Sequence, residues 1–264
     1  MSSDFIDEVY IRIKRYSKTI IPFIARVLIT SAFIQDSIDI YNTLERPTYF
    51  NIIRIFWYFY QCNIILSSLV CSLLIIFNKL VAPCTVCLTC FSFISLIVYH
   101  NFTDAIIITR RFSVLGGLFL LMAKDLDDGK HQFKIGLPDI PIYSNSVYLQ
   151  LAGRIMITFL FLTQLIGMSF KSHIFLKLVI IILCACAFAM IGVGYKVRII
   201  SPILCVGILI VNFFIYPWWE NPDPYYEREV RFEFFQMLGI AGSLLLLAYE
   251  GAGELSIDEK KKDL

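Results

Sequence analysis

The stretch ARVLITSAFIQD, residues 25–36, recurs in the second half of the chain as GRIMITFLFLTQ, residues 153–164. When Arg26 is placed on Arg154, the isoleucine–threonine pair and the phenylalanine that follow also match. A second pair of similar stretches, FSVLGGLFLLMAKDLDDG and FQMLGIAGSLLLLAYEGAG, stands near the end of each half. The sequence therefore predicts an internal repeat.

Apolar blocks dominate both halves. Of the 264 residues, 58% are hydrophobic and 17% are charged, whereas soluble domains have about 45–50% and about 25%. The excess is concentrated in blocks of roughly 20 residues, the length that an α-helix needs to cross a bilayer. We expect eight transmembrane helices, at residues 22–42, 54–77, 80–99, 104–123, 148–169, 174–193, 198–216 and 231–249.

The polar connection after the fourth block separates the eight helices into two sets of four. Because each set has an even number of spans, the two copies point the same way and are related by an axis along the membrane normal. The expected fold is an all-α polytopic membrane protein whose eight transmembrane helices form two parallel four-helix repeats. The net charge of +2 gives no reason to expect a nucleic-acid partner.

Lysine and arginine are more frequent on the side of the membrane that both termini share, which predicts that both termini are cytosolic. The expected parts are a cytosolic amphipathic segment (1–21), the first repeat (22–123), a cytosolic loop (124–147), the second repeat (148–250) and a cytosolic tail (251–264).

Two arginines lie inside the predicted helices, about one turn from the cytosolic interface. Charges at this depth usually face the bundle interior and pair with other polar groups. We expect Arg26 and Arg154 to have a structural role, with Asp125 and Glu250 as candidate ion-pair partners.

Two carboxylates stand at the lumenal third of the first helix. Asp36 is ten residues beyond Arg26, a rise of about 15 Å at roughly 1.5 Å per residue, and Asp39 follows one turn later. The pair is suited either to binding a cation or to forming a hydrogen-bonded polar cap at the helix end.

The cysteines suggest a redox alternative. CTVCLTC at residues 84–90 contains Cys-x-x-Cys, the motif of thiol oxidoreductases, so a thiol–quinone oxidoreductase that uses Cys84 and Cys87 is one alternative. All eight cysteines lie in apolar blocks, as small buried hydrophobic residues do. The three histidines are dispersed, so we expect no metal site, and no motif indicates a cofactor.

The tail DEKKKDL, residues 258–264, carries lysines four and three positions from the end of the chain. Two ammonium groups at a fixed distance from a terminal carboxylate fit a cytosolic dilysine retrieval signal, formed by Lys261 and Lys262 with support from Lys260. The alternative is that this basic cluster binds anionic lipid.

A family resemblance covers nearly the whole chain. GGLFLLMAKDLDDGK, AGRIMITFLF, FEFFQMLGIAGSLLLL and LSIDEKKKDL resemble the surfeit-locus-4 family of endoplasmic reticulum cargo receptors, which is more distantly similar to DoxX-like four-helix membrane proteins. The resemblance implies a receptor, not an enzyme, that binds soluble secretory cargo through short hydrophobic amino-terminal signals. It implies vesicle coat proteins as partners, and cycling from the endoplasmic reticulum membrane through ER–Golgi intermediates to the Golgi.

A cargo amino terminus brings one cation and apolar side chains, which a site with carboxylates and aromatic rings would complement. We therefore expect a lumenal cargo site formed by Asp36, Asp39, Trp218, Trp219, Glu220, Tyr225 and Glu227. The second alternative is a transporter or lipid-moving channel, which would hold its substrate at the interface between the repeats.

Overall fold

Eight α-helices and one short 3₁₀ helix make up the computed structural model, which describes residues 3–42, 52–98, 105–133, 145–167, 174–220, 224–250, 251, 253, 255 and 256. The α-helices are α1 (Ser3–Asn42), α2 (Ile52–Ile76), α3 (Val81–Val98), α4 (Ala105–Phe133), α5 (Asn145–Gly167), α6 (Ile174–Val193), α7 (Val197–Ile215) and α8 (Pro224–Glu250). The 3₁₀ helix, Trp218–Glu220, precedes α8. Each predicted apolar block coincides with one helix, and no strand occurs in these ranges, so the all-α class is confirmed.

Four of the described helices are long and apolar enough to cross a membrane. They are the stretches Thr19–Asn42, Ile55–Ile76, Val197–Glu220 and Tyr226–Glu250. A fifth apolar stretch, Val81–Ser95, is shorter. Together with the composition, these helices indicate a polytopic membrane protein.

Two helices extend beyond the ends of the predicted apolar blocks. Helix α1 is a single element across Pro22, and the part of it that is long and apolar enough to cross a membrane starts at Thr19. Helix α4 continues to Phe133, although a loop is expected from residue 124. The residues added to α4 are polar, but they contain no proline, and Gly129 alone costs only about 1 kcal/mol in a helix. They therefore remain helical although they are polar.

The centre of the molecule consists of α1, α4, α5 and α8, and the other four helices lie outside them. Helix α1 packs along α8, and α5 packs along α4, while α4 and α8 also contact each other. The contacts between consecutive helices of one half each have a counterpart in the other: α1–α2 and α5–α6, α2–α3 and α6–α7, α3–α4 and α7–α8. The first helix of each predicted repeat thus packs on the fourth helix of the other.

Glycines allow the two main helix pairs to approach closely. A Cβ atom on Gly116 of α4 would lie 2.8 Å from the carbonyl oxygen of Gly153 on α5. A Cβ atom on Gly242 of α8 would lie 2.9 Å from the carbonyl oxygen of Ala25 on α1. Small residues have this role in membrane bundles, where van der Waals packing drives association.

Two contacts between α4 and α8 join equivalent positions of the two halves. Gly116 on α4 and Gly242 on α8 are equivalent because they meet Gly153 and Ala25, the residues that precede the aligned Arg154 and Arg26. Gly117 abuts the hydroxyl of Ser243, and Lys124 Nζ lies 3.1 Å from Glu250 Oε1. Ser243 follows Gly117 by 126 positions, and Glu250 follows Lys124 by the same number. If a two-fold axis relates the two halves, a residue contacts its own equivalent only where both lie beside that axis. The two contacts are seven residues apart along α4 and along α8, so the axis would pass between these helices and run parallel to them.

Candidate functional site

Charged residues collect at both ends of the bundle. We call one end the tryptophan end, where the end of α1 meets the starts of α4 and α8 and the Trp218–Glu220 helix. The other is the tail end, where α8 ends and the segment 251–256 follows. The structure brings the predicted cargo residues together at the tryptophan end.

Asp39 is the hub of an ion-pair network between α1 and α8. Its Oδ1 lies 3.4 Å from Arg231 Nη2 and 3.9 Å from Arg228 Nε. The same oxygen accepts a hydrogen bond of 3.0 Å from Gln35 Nε2. Arg231 also pairs with Glu227, at 3.2 Å, within the first turns of α8. A buried charge is costly unless it is paired and hydrogen-bonded, and this network ties α1 to α8.

Asp36 faces a different neighbour. Its Oδ2 lies 3.6 Å from Arg111 Nη1 on α4, which also donates a hydrogen bond of 3.0 Å to Ser95 Oγ. This pair lines a cavity of about 70 Å³ among α1, α2, α3 and α4, together with four serines and five apolar side chains. Asp36 and Asp39 therefore share one end of the molecule but belong to two adjoining polar clusters.

An aromatic cluster adjoins the Asp39 network. We call Phe213, Trp218, Trp219 and Phe234 the aromatic ledge; their neighbouring ring centroids are 5.4–6.1 Å apart. Trp219 and Phe213 are 51% and 53% exposed, and the Arg231 guanidinium lies 6.0 Å from the Trp218 ring centroid.

The remaining predicted cargo residues also belong to this end. Glu220 is exposed at the end of the 3₁₀ helix beside the ledge. Tyr225 is in the first turn of α8, and its side chain lies outside the described part of the structure.

Three buried donors of the tryptophan end have no hydrogen-bond acceptor in the described part of the structure. They are the Nε atoms of Arg111 and Arg231 and the indole Nε1 of Trp218. Because these nitrogens are buried, leaving them unpaired is costly, and they are enclosed by the protein and not open to a ligand. Exposed groups at this end include the rings of Trp219 and Phe213 and the carboxylate of Glu220.

The tail end contains the two arginines that were expected to have a structural role. Arg154 is 1% exposed and donates a hydrogen bond of 2.8 Å from Nη2 to the Leu255 carbonyl. Arg26 is partly buried in α1. Of the expected carboxylate partners, Asp125 accepts a hydrogen bond of 3.1 Å from the Ala82 amide, and Glu250 pairs with Lys124. Lys260, Lys261 and Lys262 lie outside the described residues.

The cysteines form no disulfide among those the structure describes. Cys84 is buried, whereas Cys87 and Cys90 are exposed on α3. A search of the described residues finds no group of three or more histidine, cysteine or acidic side chains with the geometry of a metal site.

The sequence prediction missed the arginines that hold the two aspartates. Arg228 and Arg231 are three residues apart at the start of α8, and Glu227 is four residues before Arg231. This spacing places them on one face of a helix and marks an ion-paired face. It does not indicate that this face meets α1, because Asp39 and Arg231 are 192 positions apart in the sequence.

These features define an all-helical polytopic membrane protein with a charged, aromatic site at one end. The profile of the SURF4 family matches residues 3–264, so the chain belongs to that family.

Individual relatives of the chain also support its membership of this family. The chain is 30% identical over 249 residues to "Surfeit locus protein 4 homolog" of Schizosaccharomyces pombe, which covers 91% of this chain and 82% of the relative. It is 30% identical over 253 residues to "ER-derived vesicles protein ERV29" of Saccharomyces cerevisiae, covering 93% and 78%. The "Surfeit locus protein 4 homolog" of Drosophila melanogaster is 29% identical over 167 residues, covering 63% and 60%. No solved structure matches the chain significantly.

Proposed function

We propose that this protein is a transmembrane cargo receptor that binds soluble secretory proteins in the lumen of the endoplasmic reticulum and carries them in coated vesicles to the Golgi. Its cytosolic dilysine tail then returns it. Family membership and the name of the yeast relative, a protein of ER-derived vesicles, support this role. The receptor cycles between the endoplasmic reticulum, ER–Golgi intermediates and the Golgi, and its partners are cargo and vesicle coat proteins.

In this proposal all eight helices span the membrane as two parallel four-helix repeats. Both termini are cytosolic, and the tryptophan end is lumenal. The matched helix contacts of the two halves support the repeat, as do the two contacts between matching positions of α4 and α8.

The packing at the centre favours a receptor over a transporter. A transporter of this type would hold its substrate between the repeats. The contacts across that interface are instead close ones, between Gly116 and Gly153 and between Gly117 and Ser243. Leu118 of α4 and Leu244 of α8 are fully buried beside them. Close backbone packing of this kind gives the central helices a structural role.

The observation that carries the cargo assignment is the combination of groups at the tryptophan end. Asp36, Asp39 and Glu227 pair with Arg111, Arg228 and Arg231, and Glu220 adds an exposed carboxylate beside the aromatic ledge. A cargo amino terminus would bring a cation to these carboxylates. Its apolar side chains would contact the aromatic ledge.

The cargo site is tested by neutralising both aspartates. Asp36→Asn combined with Asp39→Asn is expected to lower the amount of cargo that co-precipitates with the receptor about tenfold, the loss of ~1.4 kcal/mol. The reason is that an ammonium group gains less from a neutral amide than from a carboxylate. The matched control is Glu229→Gln, which removes an exposed carboxylate from the same end. Unchanged capture by the double variant, with both proteins at the same location, would contradict the site.

Replacing the two cysteines tests the thiol–quinone oxidoreductase alternative. Cys84→Ser combined with Cys87→Ser is expected to leave cargo capture and location unchanged, because the receptor uses neither thiol. The measurement is the same co-precipitation, together with microscopy of the receptor. If this double substitution alone abolished cargo capture, the result would favour the oxidoreductase alternative.

A further inference from the structure

The chain turns back onto the bundle immediately after α8. The amide of Gly251 donates a hydrogen bond of 2.8 Å to the Leu247 carbonyl, and Gly251 and Gly253 have φ angles of +88° and +74°. Glycine adopts this left-handed conformation at little cost and commonly ends helices this way. We call residues 251–256, of which the structure describes Gly251, Gly253, Leu255 and Ser256, the clasp.

Helix α5 holds the clasp through two side chains. Arg154 Nη2 donates 2.8 Å to the Leu255 carbonyl, and Gln150 Nε2 donates 3.4 Å to the Gly251 carbonyl. Gly253 abuts the Gln150 amide so closely that a side chain there would collide with it. Within the clasp, Ser256 Oγ donates 2.6 Å to the Gly253 carbonyl.

The turn between α6 and α7 packs against Arg154 and Ser256 from the other side of the clasp. A Cβ atom on Gly194 would lie 2.5 Å from Arg154 Nη1 and 2.6 Å from Ser256 Cβ. Arg154 is 1% exposed and Ser256 is 4% exposed, so both are enclosed at this junction. One buried guanidinium therefore contacts the α6–α7 turn and the chain beyond α8, and a buried charge of this kind is costly to leave without its partners.

We propose that Arg154 is a positioning residue for the carboxyl-terminal signal: it fixes the chain at Ser256, so that the signal works from a short tether. This proposal rests on the proposed retrieval function of Lys261 and Lys262. Lys262 is six residues beyond Ser256 and twelve beyond Glu250. At roughly 3.6 Å per extended residue, the clasp limits its reach to about 22 Å instead of about 43 Å.

A longer tether lowers the concentration at which the signal meets a coat bound at the membrane. Effective concentration falls roughly as the −3/2 power of tether length, so doubling the length lowers it about threefold. Release of the clasp is therefore expected to raise the fraction of receptor that escapes beyond the endoplasmic reticulum by about the same factor.

Proteolysis of sealed microsomes, with the cytosolic face outward, tests the clasp directly. A protease that cleaves after glutamate has one site inside the clasp, Glu254, and one beyond it, Glu259. Cleavage after Glu259 releases KKKDL, and further cleavage after Glu254 releases LSIDE; mass spectrometry distinguishes the two peptides. In the native protein we expect KKKDL to be released at least about tenfold faster than LSIDE, because the residues on each side of Glu254 are held.

Arg154→Met is expected to make LSIDE release at least about tenfold faster while KKKDL release stays unchanged. Gln150→Ala is a milder second variant with a smaller effect in the same direction, should the first not fold. Lys79→Gln, at an exposed lysine of the α2–α3 turn, is the control and should change neither peptide. Equal release of both peptides from the native protein, or no effect of either variant, would overturn the clasp.

Location provides the second measurement. Arg154→Met and a six-residue glycine–serine insertion after Ser256 should each raise the escaped fraction about threefold, because both lengthen the tether. If Arg154→Met releases LSIDE faster but the escaped fraction of receptor does not rise, the positioning role of Arg154 is overturned. Failure of the retrieval function itself is recognised separately, because Lys261→Ser with Lys262→Ser would then leave the location unchanged.

Discussion

Gly242→Val is expected to destabilise the protein by about 3 kcal/mol, the upper end of the usual cost of overpacking a core. A Cβ atom at this position would lie 2.6 Å from Leu28 Cβ and 2.9 Å from the Ala25 carbonyl oxygen and the Ile29 amide nitrogen. Because two of these atoms are backbone atoms of α1, they cannot move unless the two helices separate. The measurement is thermal unfolding of the purified protein in detergent, followed by size-exclusion chromatography.

Gly207→Val is the matched control for this experiment. Gly207 is on the exposed side of α7, and a Cβ atom there would meet no heavy atom within 4 Å. We expect no loss of stability, because the added side chain only enlarges the surface exposed to lipid. Equal unfolding midpoints for the two variants would show that α1 and α8 do not approach as closely as the structure indicates.

Lys261→Ser combined with Lys262→Ser is expected to shift the protein from the endoplasmic reticulum to the Golgi and beyond. Two charged hydrogen-bonding groups are lost, so we expect coat affinity to fall at least about tenfold, or ~1.4 kcal/mol. The measurements are fluorescence microscopy and the binding of purified coat to a peptide of residues 251–264. Retention of the double variant in the endoplasmic reticulum would show that the tail is not the retrieval signal.

A spacing variant separates the dilysine signal from a lipid-binding cluster. Two alanines added after Leu264 keep every positive charge but move the lysines away from the terminal carboxylate. A signal that depends on that distance should fail as it does in the double serine variant. Attraction to anionic lipid depends on charge near the surface, so it would be retained.

The sequence alone predicted the helices because bilayer thickness and hydropathy act within single segments. Each apolar block became one helix, and the alignment of Arg26 with Arg154 predicted a repeat, which the matched helix contacts of the two halves support. The end of α4 was less predictable. Residues 124–133 are polar yet helical, since polarity indicates exposure to water and only proline or several glycines would have ended the helix.

The tertiary structure decided which groups meet. The sequence placed Asp36 and Asp39 one turn apart as a single candidate site, but the structure pairs the first with Arg111 on α4 and the second with Arg231 on α8. It likewise brings Arg154 to the Leu255 carbonyl, a partner that the sequence did not indicate. Periodicity and composition record how buried a residue is and on which face of its helix it lies. The partner of a buried charge depends on how distant helices pack, and only the folded arrangement specifies that.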